Sequence, residues 1–448
     1  MNEENNEKVE IKPKTKKKHK GLIITFSIIG GIIGCLALVL SVFAIGSTVV
    51  TNNLLDYAKS FDKVEYDHTI SVPKKDNNGY YYFSSDGEFN VMQLTDVHLG
   101  SGIMSKEKDK KALNAIASLV STNKPDLVIF TGDESFPVPY ISGTLNNQRQ
   151  PNLIANLMET LGVYWTVVFG NHDSEAYNYY RRGDVENFYS SYHDNGYTHC
   201  LFDGSAEGVS GNCNNVINLK SSSGLVRNSF ITLDSNAYLD NDPLGINWIY
   251  DNIHQDEIAW YESVIDLYTS ENKKIHASSG TVQSMLFFHI PLPQFQDALF
   301  EYKDNNFKDT ANTKYIYGEC GEDQNYLYND EPHVVWSGEN RDDSIFEAIL
   351  NKGSTKAIFC GHDHLNNFSF IYKGIQLTYG YSIDYLAYKN IDKYGRQRGC
   401  TNISFSSSEN YEITHENYYL RKFVSKYPKE TVTMDKYYEN NTYLMNDF

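Results

Sequence analysis

The chain has 448 residues, enough for one large domain or two ordinary ones; 41% are hydrophobic and 14% aromatic, including 35 tyrosines. That composition supports a sizeable core and excludes wholesale disorder. The formal net charge is −18; residues 1–20 carry +3 and residues 21–50 none, so the remaining body carries −21. So acidic a body repels a phosphate backbone, and no nucleic-acid binding is expected, although small phosphorylated substrates stay compatible if cations supply local positive charge.

At the N-terminus "KPKTKKKHK" (12–20) precedes "GLIITFSIIGGIIGCLALVLSVFAIGSTVV" (21–50), which is uncharged throughout. About 20 apolar residues suffice to span a bilayer as a helix, so 21–50 is expected to be a transmembrane signal anchor. The lysines before it keep residues 1–20 as a cytoplasmic basic tail and place everything after Val50 outside the cell membrane, in single-pass topology. Cleavage to a secreted form is the competing reading, with "SVFAIG" a poor cleavage site and a run longer than an ordinary signal-peptide core. A lipoprotein signal ending at Cys35 is disfavoured by the apolar "LALVLSVFAIG" that follows it. Beyond Cys35 the cysteines are Cys200, Cys213, Cys320, Cys360 and Cys400, an odd number. Cys200 and Cys213 could close a short loop, but no disulfide framework follows from the sequence.

Residues 51–88 read as a stalk and lead-in, with polar turns such as "KKDNNG" (74–79). "FNVMQLTDVHLG" (89–100) is expected to be a buried strand running into a loop, and 106–123 a helix on the spacing of Leu113, Ile116, Leu119 and Val120. "PDLVIFTGD" (125–133) reads as a strand, "PNLIANLMETLG" (151–162) as a helix and "VYWTVVFGNHD" (163–173) as a third strand. This alternation predicts an α/β core whose chemistry sits in loops at strand ends. Residues 174–275, richer in Asn, Ser and Gly, form a variable substrate-side region with "SFITLDS" (229–235) as a strand and "QDEIAWYESVIDLY" (255–268) as a helix. "SMLFFHIPLP" (284–293) and "STKAIFCGHDH" (354–364) are apolar strands reaching histidines. "FSFIYKGIQLTYG" (368–380) predicts a hairpin turning at Lys373-Gly374, and "GCTNISFS" (399–406) a further strand. The main domain is placed at 89–410, with 411–448 as a C-terminal extension of little signal.

Five strand ends thus present oxygen donors or imidazoles: Asp96 and His98; Asp133; Asn171 and His172; His289; His362 and His364. In extended backbone His362 and His364 point to the same side. Chance accounts for one such ending, not for five in one chain. The set has the composition for two metal ions: an aspartate between them offsets the repulsion of cations about 3.5–4 Å apart, and the pair lowers the pKa of a shared water so that a hydroxide can attack phosphorus in line. The same ions neutralise charge on phosphoryl oxygens in the transition state.

The ordered series D-x-H, G-D, G-N-H-D, a lone His and G-H-x-H, over residues 89–380, resembles the calcineurin-like metallophosphoesterase family. "FFHIPLP", "QDEIAWYE" and "GHDHLNNF" are similar to its purple-acid-phosphatase-related, Dcr2-type branch. The resemblance implies a four-layer α/β fold: two mixed β-sheets packed face to face, flanked by helices. It implies two divalent or transition metal ions, with Asp96, His98 and His364 on the first, Asn171, His289 and His362 on the second, and Asp133 bridging. His172 would be the general acid to the leaving oxygen, while Asp173 and Asp363 would orient neighbouring imidazoles; a solvated loop acid is the plainer alternative for Asp363. Purple enzymes usually carry a tyrosine, which ligates ferric iron, three residues after the G-D aspartate. Here "GDESF" has Phe136 there, so a Mn, Zn or Fe(II)-containing pair is expected instead of a purple ferric site.

The resemblance implies hydrolysis of phosphate esters, monoesters favoured. The alternatives are a phosphodiesterase acting on nucleotides, glycerophosphodiesters or phospholipid head groups, and, from another class, a surface adhesin or binding module on the same fold. His68, His193, His199, His254, His276, His333 and His415 match no motif and read as ordinary histidines, with His193 and His199 the nearest candidates for a substrate pocket. In "YNYYRRGD" (177–184), Arg181 or Arg182 could grip a phosphate oxygen, against the plainer reading of a solvated charged turn.

Overall fold

The uncharged N-terminal run forms the first part of one long helix, α1 (Lys17–Ala58). Apolar side chains from Ile23 to Ile45 are exposed along it, and the helix is long and apolar enough to cross a membrane. It continues past the expected limit at Val50. There Val50, Leu54 and Ala58 recur at a spacing of four and are buried against the domain. The computed structural model describes residues 17–418 apart from 240–241, 243, 247–248, 323–344, 389–390, 392–397 and 408–409. The basic tail up to residue 16, His333 and everything after Tyr418 lie outside the described residues.

The segment expected as a stalk is built into the domain. Val64 N–H donates to Leu161 O (2.9 Å) and Tyr66 Oη to Pro125 O (2.6 Å). Two short strands follow, β1 (Lys74–Lys75) and β2 (Tyr81–Ser84). In β2 alternate residues face inward, and Phe83 packs on Phe89 and Tyr164 with ring centroids 5.0 and 5.6 Å away.

One sheet has five strands, in the order β14 (Tyr411–Asn417), β13 (Gly399–Phe405), β3 (Phe89–Leu94), β4 (Leu127–Thr131) and β5 (Tyr164–Val168). β3, β4 and β5 run parallel, while β13 is antiparallel to both its neighbours. The start of the expected C-terminal extension therefore completes this sheet. The other sheet has nine strands, in the order β1, β2, β6 (Asn215–Lys220), β7 (Val226–Thr232), β8 (Ser284–Phe287), β10 (Thr355–Cys360), β12 (Ile375–Tyr379), β11 (Ser369–Tyr372) and β9 (Thr313–Tyr317). β7, β8, β10 and β12 are parallel, and β11 returns antiparallel through the hairpin at Lys373-Gly374. Both sheets are mixed. All five residues of β4 are buried, as a continuous apolar run in a parallel sheet requires.

The sheets meet face to face: Phe230 of one stacks on Phe89 of the other at 6.2 Å and meets Phe405 edge-on at 5.6 Å. The helices α2 (Lys106–Asn123) and α4 (Arg149–Leu161) share the core between α1 and the five-stranded sheet. A second core joins the nine-stranded sheet to α6 (Gln255–Ile275), α7 (Pro293–Asp304) and α8 (Ile345–Lys352). The short helices α3 (Pro139–Ser142) and α5 (Arg182–Ser191) follow β4 and β5. In this four-layer α/β arrangement the carboxyl ends of β3, β4, β5, β8 and β10 come together at the seam between the sheets, where open α/β sheets place their ligands.

Candidate metal centre

Beyond β3 and β4 the chains stay in register: Asp96 N–H donates to Gly132 O at 3.0 Å and His98 N–H to Asp133 O at 2.9 Å. Asp96, His98, Asp133 and His362 all have left-handed backbone, with φ of 52°, 50°, 58° and 78°. This conformation costs a non-glycine residue about 1–2 kcal/mol, and such strain gathers where the surroundings fix a functional geometry. Crowding explains two of the motif glycines. A Cβ on Gly361 would lie 1.9 Å from Thr95 Oγ1, and one on Gly170 would lie 2.1 Å from Asp133 Oδ1.

The donor atoms form two groups that share one residue. Asp96, His98, Asp133 and His364 offer ligand atoms within 4.8 Å of one another, and so do Asp133, His289 and His362. Asp133 Oδ2 lies 3.3 Å from His98 Nε2 and 3.2 Å from His289 Nε2. His364 Nε2 is 3.5 Å from Asp96 Oδ1, and His362 Nδ1 is 3.3 Å from His289 Nε2. His289 Nδ1 donates to Thr131 O (2.8 Å), which fixes its tautomer and leaves Nε2 facing Asp133. His362 N–H donates to both oxygens of Asp96 at 3.1 Å. Asn171 Nδ2 donates to Tyr238 Oη (3.1 Å), leaving Oδ1 without a hydrogen bond.

His98 Nε2, Asp133 Oδ2 and Asn171 Oδ1 are all buried without a hydrogen-bond partner. Buried polar atoms are costly to leave unpaired, so three such atoms at these strand ends fit cations. Carboxylate, amide oxygen and imidazole are donors suited to Mn, Zn or Fe.

The electrostatics are those of a crowded ligand set. Burial raises the Asp96 pKa to about 6. Burial opposes charge on His98, and the carboxylates of Asp384, Asp133 and Asp96 outweigh it, bringing that imidazole to about 10. Burial and then the charge of His98 push His364 down to about 3.

His172 opens a short 3-10 turn (His172–Ser174) after β5, and its N–H donates to Asp133 Oδ1 at 2.8 Å. Its Nδ1 lies 2.7 Å from Oε1 of the buried Glu175, which also accepts from Tyr238 Oη at 3.2 Å. A carboxylate on Nδ1 makes that nitrogen the donor and leaves Nε2 as the working atom. Burial opposes protonation of His172, and Asp133 and Glu175 raise its pKa against it. The ring borders a cavity of about 450 Å³ that is also lined by Asp133, His362, His364, Phe136 and Tyr250.

The sequence model of the calcineurin-like phosphoesterase family matches residues 89–366. The chain belongs to that family. Among curated proteins it is similar to probable inactive purple acid phosphatase 29 of Arabidopsis thaliana, 26% identical over 68% of this chain and 74% of that protein. It is also similar to phosphatase DCR2 of Saccharomyces cerevisiae, 24% identical over 64% of this chain and 45% of that protein. Among solved structures, a dimetal phosphatase from Danio rerio aligns over 74% of this chain and 99% of its own, with 10% identity and a TM-score of 0.41. This chain is thus a metal-dependent phosphoesterase of the calcineurin-like family, and its related phosphatases are purple-acid-phosphatase-like.

In this phosphoesterase several side chains act differently from the sequence expectation. Asp173 orients no imidazole through these bonds: Oδ2 accepts from the N–H groups of Asp133 (3.0 Å) and Gly170 (2.8 Å) and Oδ1 from Ser135 N–H (2.9 Å), tying two strand-end loops together. Asp363 is buried and accepts from Tyr379 Oη at 2.5 Å, so it is no solvated loop acid. The carboxylate on the Nδ1 side of His364 is Asp384, whose Oδ2 lies 3.6 Å from that nitrogen.

Arg182 directs its guanidinium to protein partners. It forms a buried pair with Asp234 and donates to Gly170 O (2.7 Å) and Phe169 O (3.0 Å), bracing the G-N-H-D loop. Arg181 is more exposed and donates to Ala176 O. His199 pairs with Glu159 at 3.0 Å and His193 is exposed; neither lines the cavity. Cys200 and Cys213 are free thiols, and Cys213 Sγ accepts from Phe169 N–H, so the short loop between them is not closed. Glu175 and Arg182–Asp234 were missed as site supports. The one local signal was an acid three residues after His172, a spacing too common to select.

Proposed function

We propose that this phosphoesterase is a membrane-anchored, extracytoplasmic phosphohydrolase acting on phosphomonoesters, with Asp96, His98 and His364 around one ion, Asn171, His289 and His362 around another, and Asp133 shared. The observation that carries the reading is Asp133, common to both groups of donors and bonded to the backbone of His172. Two divalent ions held there supply positive charge to the phosphoryl oxygens and lower the pKa of water toward neutrality. His172 delivers the proton that a departing alkoxide needs, with Glu175 holding the ring through Nδ1. Phe136 sets its ring edge-on to His98 (5.3 Å) and His172 (5.0 Å) and brings no oxygen ligand, which favours Mn, Zn or Fe(II) over a purple ferric pair.

In this reading α1 is a single-pass anchor, with the basic tail cytoplasmic and the catalytic domain outside. Protease treatment of intact cells would then release the domain. The decisive experiment is turnover of nitrophenyl phosphate by the full chain with each divalent metal added back. Asp133→Ala abolishes it. For alkyl phosphates, whose leaving groups are poor, His172→Ala lowers turnover by about 10²–10⁴-fold, and Glu175→Gln by less. Unchanged turnover in both Asp133→Ala and His172→Ala would sink the mechanism. Faster turnover of bis-nitrophenyl phosphate than of the monoester would assign a phosphodiesterase. The Arabidopsis relative is named a probable inactive phosphatase, which favours a second reading, a non-catalytic binding protein on the same fold; two bound ions per chain with no hydrolysis of either ester would establish it.

A further inference from the structure

Where α1 enters the phosphoesterase domain, ahead of its packing on α2 and α4, it is held by the loops that leave the metal centre and by the first residue of α4. Ser47 Oγ donates to Gly143 O (3.0 Å) and accepts from Ile103 N–H (3.2 Å). Thr51 Oγ1 donates to Ser101 O (3.0 Å), and Arg149 Nη2 to Thr48 Oγ1 (2.9 Å). Close packing seals the joint. A Cβ on Gly46 would meet Ile103 Cδ1 at 2.6 Å, and one on Gly143 would meet Ile103 Cγ2 at 2.8 Å and Phe43 Cδ1 at 3.3 Å.

The run of exposed apolar side chains on α1, Ile23 to Ile45, measures about 33 Å at the α-helical rise, close to the roughly 30 Å of a bilayer's hydrocarbon core. The first fully buried position after it is Ser47. The loops at 101–104 and 139–144 therefore meet α1 at the level where it leaves the apolar layer. These loops present large apolar side chains to the outside: Met104 is 54% exposed, Ile103 40% and Tyr140 79%. Tyrosine favours that depth, because its ring is apolar and its hydroxyl stays wet.

We infer that Ile103, Met104 and Tyr140 form an apron that docks the domain onto the lipid bilayer beside its own anchor. The inference rests on reading α1 as a membrane span. The occupant is a bilayer because the patch is continuous with the span through direct hydrogen bonds, leaving α1 no free linker at this level. The same unit builds the cavity wall. Ile141, next to Tyr140, packs with Phe136, Val138 and Leu386, and Phe136 and Ala387 line the cavity. The centre thus lies one loop away from the membrane surface.

The test uses the full chain in phosphatidylcholine vesicles, with Cys35→Ser removing the exposed thiol; the other five cysteines are buried. Single variants Met104→Cys, Tyr140→Cys, Leu38→Cys and Ala277→Cys carry an environment-sensitive fluorophore. The quencher is a phospholipid with a nitroxide high on its acyl chain. Leu38 reports the span, and Ala277, exposed just after α6 on the opposite helix layer, reports bulk solvent. Docking gives strong loss of emission at 38, 104 and 140 and none at 277. Loss at 38 alone overturns the apron and keeps the anchor. Loss at none of the four overturns the span and the apron with it, leaving the metal centre untouched. A probe at 140 that is unquenched by lipid but shifts with protein concentration gives the patch to a second copy of the chain, which also overturns the inference.

Discussion

The two sheets supply the centre on different terms. The five-stranded sheet offers three consecutive parallel strand ends, and protein atoms cross-tie their loops: Asp173 holds the backbone of Asp133, Ser135 and Gly170, and Arg182 holds the carbonyls of Phe169 and Gly170. The nine-stranded sheet offers His289, His362 and His364 from two neighbouring strands. Apart from the His362 Nδ1–His289 Nε2 contact and the bond from Gly361 N–H to His289 O, their ties run across the seam, from His289 Nδ1 to Thr131 O and from His362 N–H to Asp96. One half of the centre is organised by the protein itself, whereas the other is positioned against it. Each group of donors draws on both halves, so a cation in either group would staple the sheets together.

The largest expected effect breaks the shared member. Asp133→Ala removes a donor from both groups, and turnover is expected to fall at least about 10⁴-fold, roughly 5 kcal/mol of transition-state stabilisation. Metal analysis then sharpens the comparison: Asp133→Ala loses both ions, while His362→Ala on the other sheet loses one and keeps its neighbour. Two ions retained in Asp133→Ala would show that no carboxylate is shared.

Next in size is the clamp on the organised half. Arg182→Ala leaves Asp234 buried and unpaired, an arrangement that costs about 3–5 kcal/mol. Urea unfolding should show that loss equally with and without chelator, because the clamp involves no donor of the centre. A loss that appears only in the metal-loaded protein would place Arg182 in the metal site after all.

Chelation itself should act on the other half. Removing a ligand held at about 100 times its Kd costs about 2.7 kcal/mol of stability. Hydrogen exchange is expected to rise most around residues 286–290 and 359–364 and least around 129–135. Uniform loosening of both sheets would refute the asymmetry.

How much of this was legible in the sequence follows the same division. The convergence of Asp96, His98, Asp133, Asn171, His172, His289, His362 and His364 could be read because each follows an apolar strand, and strand ends in an α/β core share one edge. The supports could not. Arg182 and Asp234 are 52 residues apart, and nothing local distinguishes a buried pair from a charged turn. The left-handed φ values of Asp96, His98, Asp133 and His362 are imposed by neighbouring loops and carry no sequence mark. β1 and β2 read as stalk because two and four residues are too short for a periodic signal. Residues 50–58 do carry one, Val50, Leu54 and Ala58, which continues the helix of the apolar run before it; the polar residues between them mask it.

The smallest effect concerns a polar device on the nine-stranded side that lies away from the metal donors. His254 precedes α6; its N–H donates to Glu257 Oε2 (2.7 Å) and its Nε2 lies 3.2 Å from Asp251 Oδ2. The hydrogen bond to Asp251 is the main cause that raises its pKa from 6.5 to about 9, against burial. A raised histidine binds its proton more tightly in the folded state, so its contribution is fully present below pH 6.5 and is lost as pH rises through about 9. The ring is 39% exposed, and solvent screening holds the pair to roughly 0.5–1 kcal/mol. His254→Gln should therefore lower the unfolding midpoint at pH 6 and match the parent at pH 10, with the same difference in chelator. A difference that grows toward pH 10 would reverse the sign and show that His254 is held neutral.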